Sequence, residues 1–366
     1  MVMNMEKYNN KILNMNKISK YIVATFMIGA MLVPFNQLKA GNKDRTGQAG
    51  ASELLINPWA RSSGWGGVNI ASVKGLEGQY GNVAGTAFTK STELIFSHTQ
   101  WLKGSEININ AFGLTQKVGE TGVLGLGIMS MSFGDIPITT EDLPEGGIGN
   151  FAPSYMNINI SYAKAFSSSI YGGINLKIVS EVISDVSAQG VAIDAGIQYV
   201  TGPKDNVHFG ITLRNVGPTM SFSGDGLSIR SLLPGQESYF TLEQRSADFE
   251  LPTQLAMGAA YDIFIGELHR LTVAGSFVSN SFTNDQFIVG GEYELKSYLM
   301  LRAAYAYEEG ITSDADRTTA YTGLSGGFTV AVPINKEKGS SIAIDYSYRA
   351  SDPFSGTHSI GARINL

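Results

Sequence analysis

Val191-Ala192-Ile193-Asp194-Ala195-Gly196-Ile197-Gln198-Tyr199 decides how this chain is read. Val191, Ile193, Ala195, Ile197 and Tyr199 fall on one parity, and Ala192, Asp194, Gly196 and Gln198 on the other. Successive strand side chains point to opposite faces, so the stretch is a strand with one apolar and one polar or small face. The same period sets Met156, Ile158, Ile160 and Tyr162 against Asn157, Asn159 and Ser161. It also sets Ile342, Ile344, Tyr346 and Tyr348 against Ala343, Asp345 and Ser347.

From residue 92 onward the pattern gives about fourteen strands: 92–100, 105–116, 121–133, 155–166, 169–182, 191–201, 206–217, 251–263, 268–280, 285–295, 298–308, 321–332, 340–349 and 357–366. Most are long enough for the ~9–11 residues that a tilted strand needs to cross a bilayer, and exceed the ~5–6 usual in soluble sheets. The connections add a second signal. The long ones, 134–154, 218–250 and 309–320, all fall on one parity, and the alternate connections are short. Outer-membrane barrels have short periplasmic turns and longer outer loops. Tyr162, Tyr199, Tyr261, Tyr293, Tyr305, Tyr307, Tyr346 and Tyr348 lie near strand ends, where an apolar ring with a polar tip suits the headgroup level. An even strand number brings both ends of the barrel chain to the periplasmic side, where the N-terminal segment could enter. The expected fold is an all-β, transmembrane antiparallel β-barrel in the outer membrane, bathed by its lipid. Outward Ile193→Arg and Ile344→Arg are expected to harm assembly more than inward Asp194→Arg and Asp345→Arg.

The upstream residues differ. Lys7, Lys11, Lys17 and Lys20 precede an apolar run from Tyr21 to Val33, and Leu38-Lys39-Ala40 offers a cleavage site, so 1–40 reads as a signal peptide. Met15 is an alternative start. Removing 1–40 leaves 21 basic and 31 acidic residues, a net charge of −10, with no basic run for nucleic acid. Residues 41–91 do not alternate. They are rich in small residues and read as short helical turns and close-packed loop, a plug or hatch segment ahead of a barrel at 92–366.

Two elements of that segment carry a resemblance. Leu54-Leu55-Ile56-Asn57-Pro58-Trp59-Ala60-Arg61-Ser62-Ser63-Gly64-Trp65-Gly66-Gly67 resembles the segment that opens the PorV/PorQ family of the type IX secretion system, with Trp65 where methionine is common. Gln79-Tyr80-Gly81-Asn82-Val83-Ala84-Gly85 resembles an element of the wider FadL-like barrel superfamily, with Val83 in place of proline and Thr86 in place of leucine. The resemblance implies a barrel that serves protein export and binds translocon or attachment-complex proteins and secreted cargo. It marks Asn57, Pro58, Trp59, Arg61, Gly64, Trp65, Gly66, Gly67 and Asn82 as the plug motif. The alternative is a FadL-like transporter of hydrophobic small molecules.

Signals for chemistry are missing. There is no cysteine, and His98, His208, His269 and His358 fall on separate strands with no ligand spacing. Gly323-Leu324-Ser325-Gly326-Gly327 has the G-x-S-x-G spacing but falls inside the strand read at 321–332, not at the strand–helix turn of a nucleophile elbow. The expectation is a non-enzyme without a cofactor. Inward Asp194, Gln198, Arg302, Asp345 and Arg363 line a pore or pair with the N-terminal segment. In the 218–250 loop, Leu232, Leu233, Tyr239, Phe240, Leu242 and Phe249 among acidic residues suit a contact surface for a protein partner.

Overall fold

The computed structural model describes residues 45–232, 234–235, 238–335 and 339–366. The signal-peptide reading of 1–40 and the partner assignment of Leu233 lie outside the described residues.

Fourteen antiparallel strands close into one barrel. They are β1 Thr92–Trp101, β2 Ile107–Val118, β3 Gly122–Ser132, β4 Ser154–Ala165, β5 Ile170–Ile183, β6 Val186–Thr201 and β7 Val207–Val216. The second half holds β8 Gln254–Ile265, β9 His269–Asn280, β10 Gln286–Leu295, β11 Leu299–Glu308, β12 Tyr321–Asn335, β13 Ser340–Ser351 and β14 Thr357–Asn365. Each pairs with its neighbours in sequence, and β14 closes on β1 from Glu93↔Asn365 to Gln100↔His358. Closure leaves no strand edge in lipid, where an unpaired backbone group is costly. No described helix is long and apolar enough to cross a membrane, which does not bear on a barrel.

The alternation has the expected sense. Ile193 is 54% exposed on the outer wall, and the adjacent Asp194 is 1% exposed in the lumen. Ile344 and Asp345 repeat this at 52% and 2%. The outward tyrosines split into two sets. Tyr162, Tyr199, Tyr261 and Tyr293 lie toward the short-turn end; Tyr305, Tyr307, Tyr346 and Tyr348 lie toward the long-loop end. The long loops mark the outside of the cell.

Two boundaries differ from the sequence reading. Residues 183–190 read as a connection, but β5 and β6 stay paired from Ile170↔Tyr199 to Ile183↔Val186, with only Ser184-Asp185 turning between them. Ser184 takes a positive φ of 51°, so one tight turn does the work of a loop. Strand β8 starts at Gln254, after Pro252, which has no amide hydrogen for the ladder.

The core lies inside the barrel, between its wall and the N-terminal segment. That segment makes 3-10 turns at Ser52–Leu55, Val68–Ala71, Gly75–Gln79 and Val83–Phe88, and one helical turn, α1, at Ala60–Gly64. Gly66 and Gly67 take positive φ of 60° and 87° where the chain leaves α1, a region closed to most side chains. Its route differs from the expected entry at the periplasmic end alone. Leu366 N donates to Thr92 O (2.9 Å) at the short-turn end, but Arg45 pairs with Glu250 (2.5 Å) and Gly50 N donates to Glu250 O (3.1 Å) in the long 217–253 connection. The segment therefore runs the length of the lumen.

Candidate functional site: the lumen and its N-terminal segment

The segment is tied to the wall around the barrel. Asn57 Oδ1 accepts from Trp59 N (3.1 Å) and sets the approach to α1. Pro58 is buried just before it. The Trp59 ring meets Tyr80 edge-on at 6.1 Å. Turn α1 then presents Arg61 to Glu292 on β10 (2.8 Å), and Trp65 Nε1 donates to the same carboxylate (3.1 Å). Arg302 Nε on β11 donates to it as well (2.9 Å). One carboxylate thus joins two residues of the segment to two strands.

The network continues. Arg302 and Asp345 both hydrogen-bond Thr329 Oγ1. Arg363 grips Asp345 through two contacts of 3.0 Å and reaches Glu77 on the segment at 3.5 Å. Ser62 Oγ donates to Glu77 (2.5 Å). Gly64 sits close to Ser347 and Gly326 O, where a Cβ would lie at 3.1 and 3.3 Å.

A second clamp works on the opposite wall. Asn82 Nδ2 donates to Ile197 O on β6 (3.0 Å) and to Ile70 O (3.1 Å), while its Oδ1 accepts from Ala84 N (3.2 Å). Gln198 Nε2 donates to Ile70 O and Val73 O (both 3.1 Å). This needs bare wall. A Cβ at Gly196 would run into Asn82 Oδ1, and one at Gly210 would sit 2.6 Å from Ile70 O. Backbone cannot give way as a flexible side chain can, so Gly210→Val should destabilise the fold by about 1–3 kcal/mol. The expected result is a lower midpoint for conversion of the folded gel band on heating and faster proteolysis within 60–90. An unchanged midpoint with a resistant segment would contradict the close approach.

The lumen is divided by chemistry. At the long-loop end of β1–β6, Ile109, Met129, Met131, Tyr155 and Val179 cluster with Leu54 and Trp59 of the segment. At the waist, Lys177 pairs with Asp194 (2.8 Å), and Arg214 NH1 donates to Tyr80 O (2.5 Å). Toward the short-turn end the lining is charged, with His208–Asp262 at 3.1 Å and the Glu292 cluster.

The structure brings Asn57, Trp59, Arg61, Gly64, Trp65, Gly66, Gly67 and Asn82 into the lumen as one packed unit. It separates the proposed partner-loop residues. Leu232, Tyr239 and Phe240 stand exposed on a hairpin of Ser228–Leu232 with Tyr239–Glu243, and Leu242 is half-buried there. Phe249 is half-buried and packs against Phe222 (5.7 Å) and the outer apolar cluster. The apolar lumen needs a cover at its mouth, and a loop phenylalanine supplies it. Sequence reasoning missed Glu77 and Glu292; their one visible mark is a charge in a small-residue segment and on an inward strand position.

No family model matches this chain, and no curated protein does. Solved structures do resemble it. The toluene transporter TodX of Pseudomonas putida aligns at 14% identity over 84% of this chain and 97% of its own, with a TM-score of 0.52. The CymD monoaromatic hydrocarbon channel aligns at 13% identity over 85% and 97%, with a TM-score of 0.50. The fold shared with these two proteins is the closed antiparallel barrel. At such identity the likeness speaks for the fold alone. It lends nothing particular to the PorV/PorQ branch.

Proposed function

We propose that this barrel moves small hydrophobic molecules across the outer membrane, with its N-terminal segment serving as a plug. The observation that carries this reading is the apolar outer half of the lumen: Ile109, Met129, Met131 and Tyr155 cluster with Leu54 and Trp59 beneath the outer loops. A pore for polar solutes would be lined there with polar groups. An apolar wall with two flexible methionines suits an apolar guest. The barrel neighbours named for toluene and monoaromatic hydrocarbons are consistent with it.

A second reading rests on the outer hairpin. Ile229, Leu232, Tyr239 and Phe240 are exposed there, with Tyr239 at 66%. Free apolar side chains above the membrane suit a contact centre for a protein partner. Together with the Ala60-Arg61-Ser62-Ser63-Gly64-Trp65 resemblance, this favours a component of type IX secretion that binds translocon or attachment-complex proteins and cargo.

One experiment separates the two. In a strain lacking the gene, complement with the parent, with Met129→Asp, or with residues 222–248 replaced by a Gly/Ser linker. Under the first reading Met129→Asp lowers uptake of labelled toluene at least tenfold and leaves surface proteins intact. Normal toluene uptake in the null strain would sink it. Loss of secreted proteins in the linker strain, with uptake unchanged, would establish the second.

A further inference from the structure

Tyr155 on β4 and Glu181 on β5 are register partners on the lumen face, close to the long-loop end of the wall. Glu53, on the first turn of the segment, lies near enough for its charge to act on both. Each carboxylate adjoins the outer apolar cluster. Leu54 follows Glu53, Val179 stands two residues before Glu181 on the same face, and Tyr155 is itself a member.

These two carboxylates lack what others deeper in the lumen have. Asp194 is matched by Lys177 (2.8 Å), Glu292 by Arg302 (2.9 Å) and Asp345 by Arg363 (3.0 Å). Among the described residues Glu53 and Glu181 form no ion pair, and Glu181 Oε1 is buried with no hydrogen-bond partner. The Tyr155 hydroxyl is buried and unpartnered as well, in a residue only 1% exposed. Two neighbouring carboxylates with nothing positive between them repel, and a buried oxygen without a partner costs free energy. A cation with hydrogen-bond donors removes both costs. Glu53 and Glu181 are each half-buried, so the place is open to the outside.

We propose that this outer rim is a binding site for a small apolar amine in its ammonium form. The ammonium sits between Glu53 and Glu181 and donates to the Tyr155 hydroxyl oxygen, and the apolar body lies on the cluster below. Its three N–H groups match the three oxygen-bearing side chains. A divalent metal fits less well, because it takes six or more oxygens and no described cluster of three or more ligating side chains is present. The proposal rests on the reading of the lumen as a path for small apolar molecules, and names a class of them.

The test is isothermal titration of the full-length processed protein in maltoside micelles, with 2-phenylethylamine, with the uncharged 2-phenylethanol, and with calcium alone. The parent should bind the amine about tenfold or more tighter than the alcohol, and the paired change Glu53→Gln with Glu181→Gln should erase that preference. Glu141→Gln, on another outer loop, should leave it unchanged. The proposal is overturned by a parent that does not bind the amine or does not prefer it to the alcohol. A folded, heat-modifiable paired variant that binds the amine as tightly as the parent overturns it too, as does calcium binding that the amine fails to displace. Toluene uptake in the null strain is read separately. Normal uptake there removes the transport reading and leaves the amine site to the titration; uptake restored by a parent that binds no amine removes the amine site alone.

Discussion

Glu292→Ala should lower the temperature at which the folded barrel converts to the unfolded gel band, and should open the lumen to ions in a planar bilayer. The Glu292 carboxylate faces Arg61, Arg302 and Trp65 Nε1, and the Arg302 side chain is fully buried. Taking the carboxylate away leaves two guanidinium groups close together with no charge between them. Breaking one side of a buried ion pair costs about 3–5 kcal/mol. The loss falls where the segment is fastened to β10 and β11, so the segment should loosen before the wall does. Glu292→Gln keeps a hydrogen-bond acceptor and should fall between the two. A Glu292→Ala barrel that is as closed and as heat-stable as the parent would show that the segment is held by other contacts and that this cluster is not its fastening. Deleting residues 51–90 supplies the upper limit of conductance against which the variant is read.

Asp345→Arg should damage assembly at least as much as Ile344→Arg. The sequence alone suggests the opposite order, because a lumen is expected to tolerate charge. Ile344 points into lipid, where an arginine near the midplane costs about 2–4 kcal/mol. Asp345, however, is no solvated lumen residue. It accepts from both Arg363 contacts at 3.0 Å and shares Thr329 with Arg302. An arginine there meets two others in a packed, nearly dry interior. The same holds at Asp194, which neutralises the fully buried Lys177 and caps Asn215 N (2.8 Å). The folded fraction on an unboiled gel measures both pairs. A well-assembled Asp345→Arg beside a failed Ile344→Arg would mean that the lumen is wet at β13, and that Arg363 is free to turn away.

The barrel was legible because lipid on one side and a filled lumen on the other sort side chains at every second residue. Val191 to Tyr199 carries that record, and loop lengths repeat it. The 183–190 stretch was not legible, because Gly190 and Ser184-Asp185 look like loop residues while pairing continues past them. The wall partners of the segment's residues were not legible. Nothing local links Arg61 to Glu292, or Asn82 to Ile197 O; only closure of the wall brings them together. Phe249 illustrates a different limit. An apolar residue at a loop end reads the same whether it stands free or packs on its own lumen, and here it packs on the outer apolar cluster.

The path of residues 45–91 bears on how such a barrel comes to exist. The segment reaches from Glu250 at one mouth to Thr92 at the other, and it is gripped by strands from both halves of the sequence. A finished cylinder would have to be threaded by a chain carrying two tryptophans and several charges, each shedding water on the way. It is simpler for the sheet to curl around the segment and seal at β1–β14 last. The segment then acts as a mandrel: it sets the bore, and the order of events in assembly is written into the contacts between sequence-distant residues, which slow folding as a class.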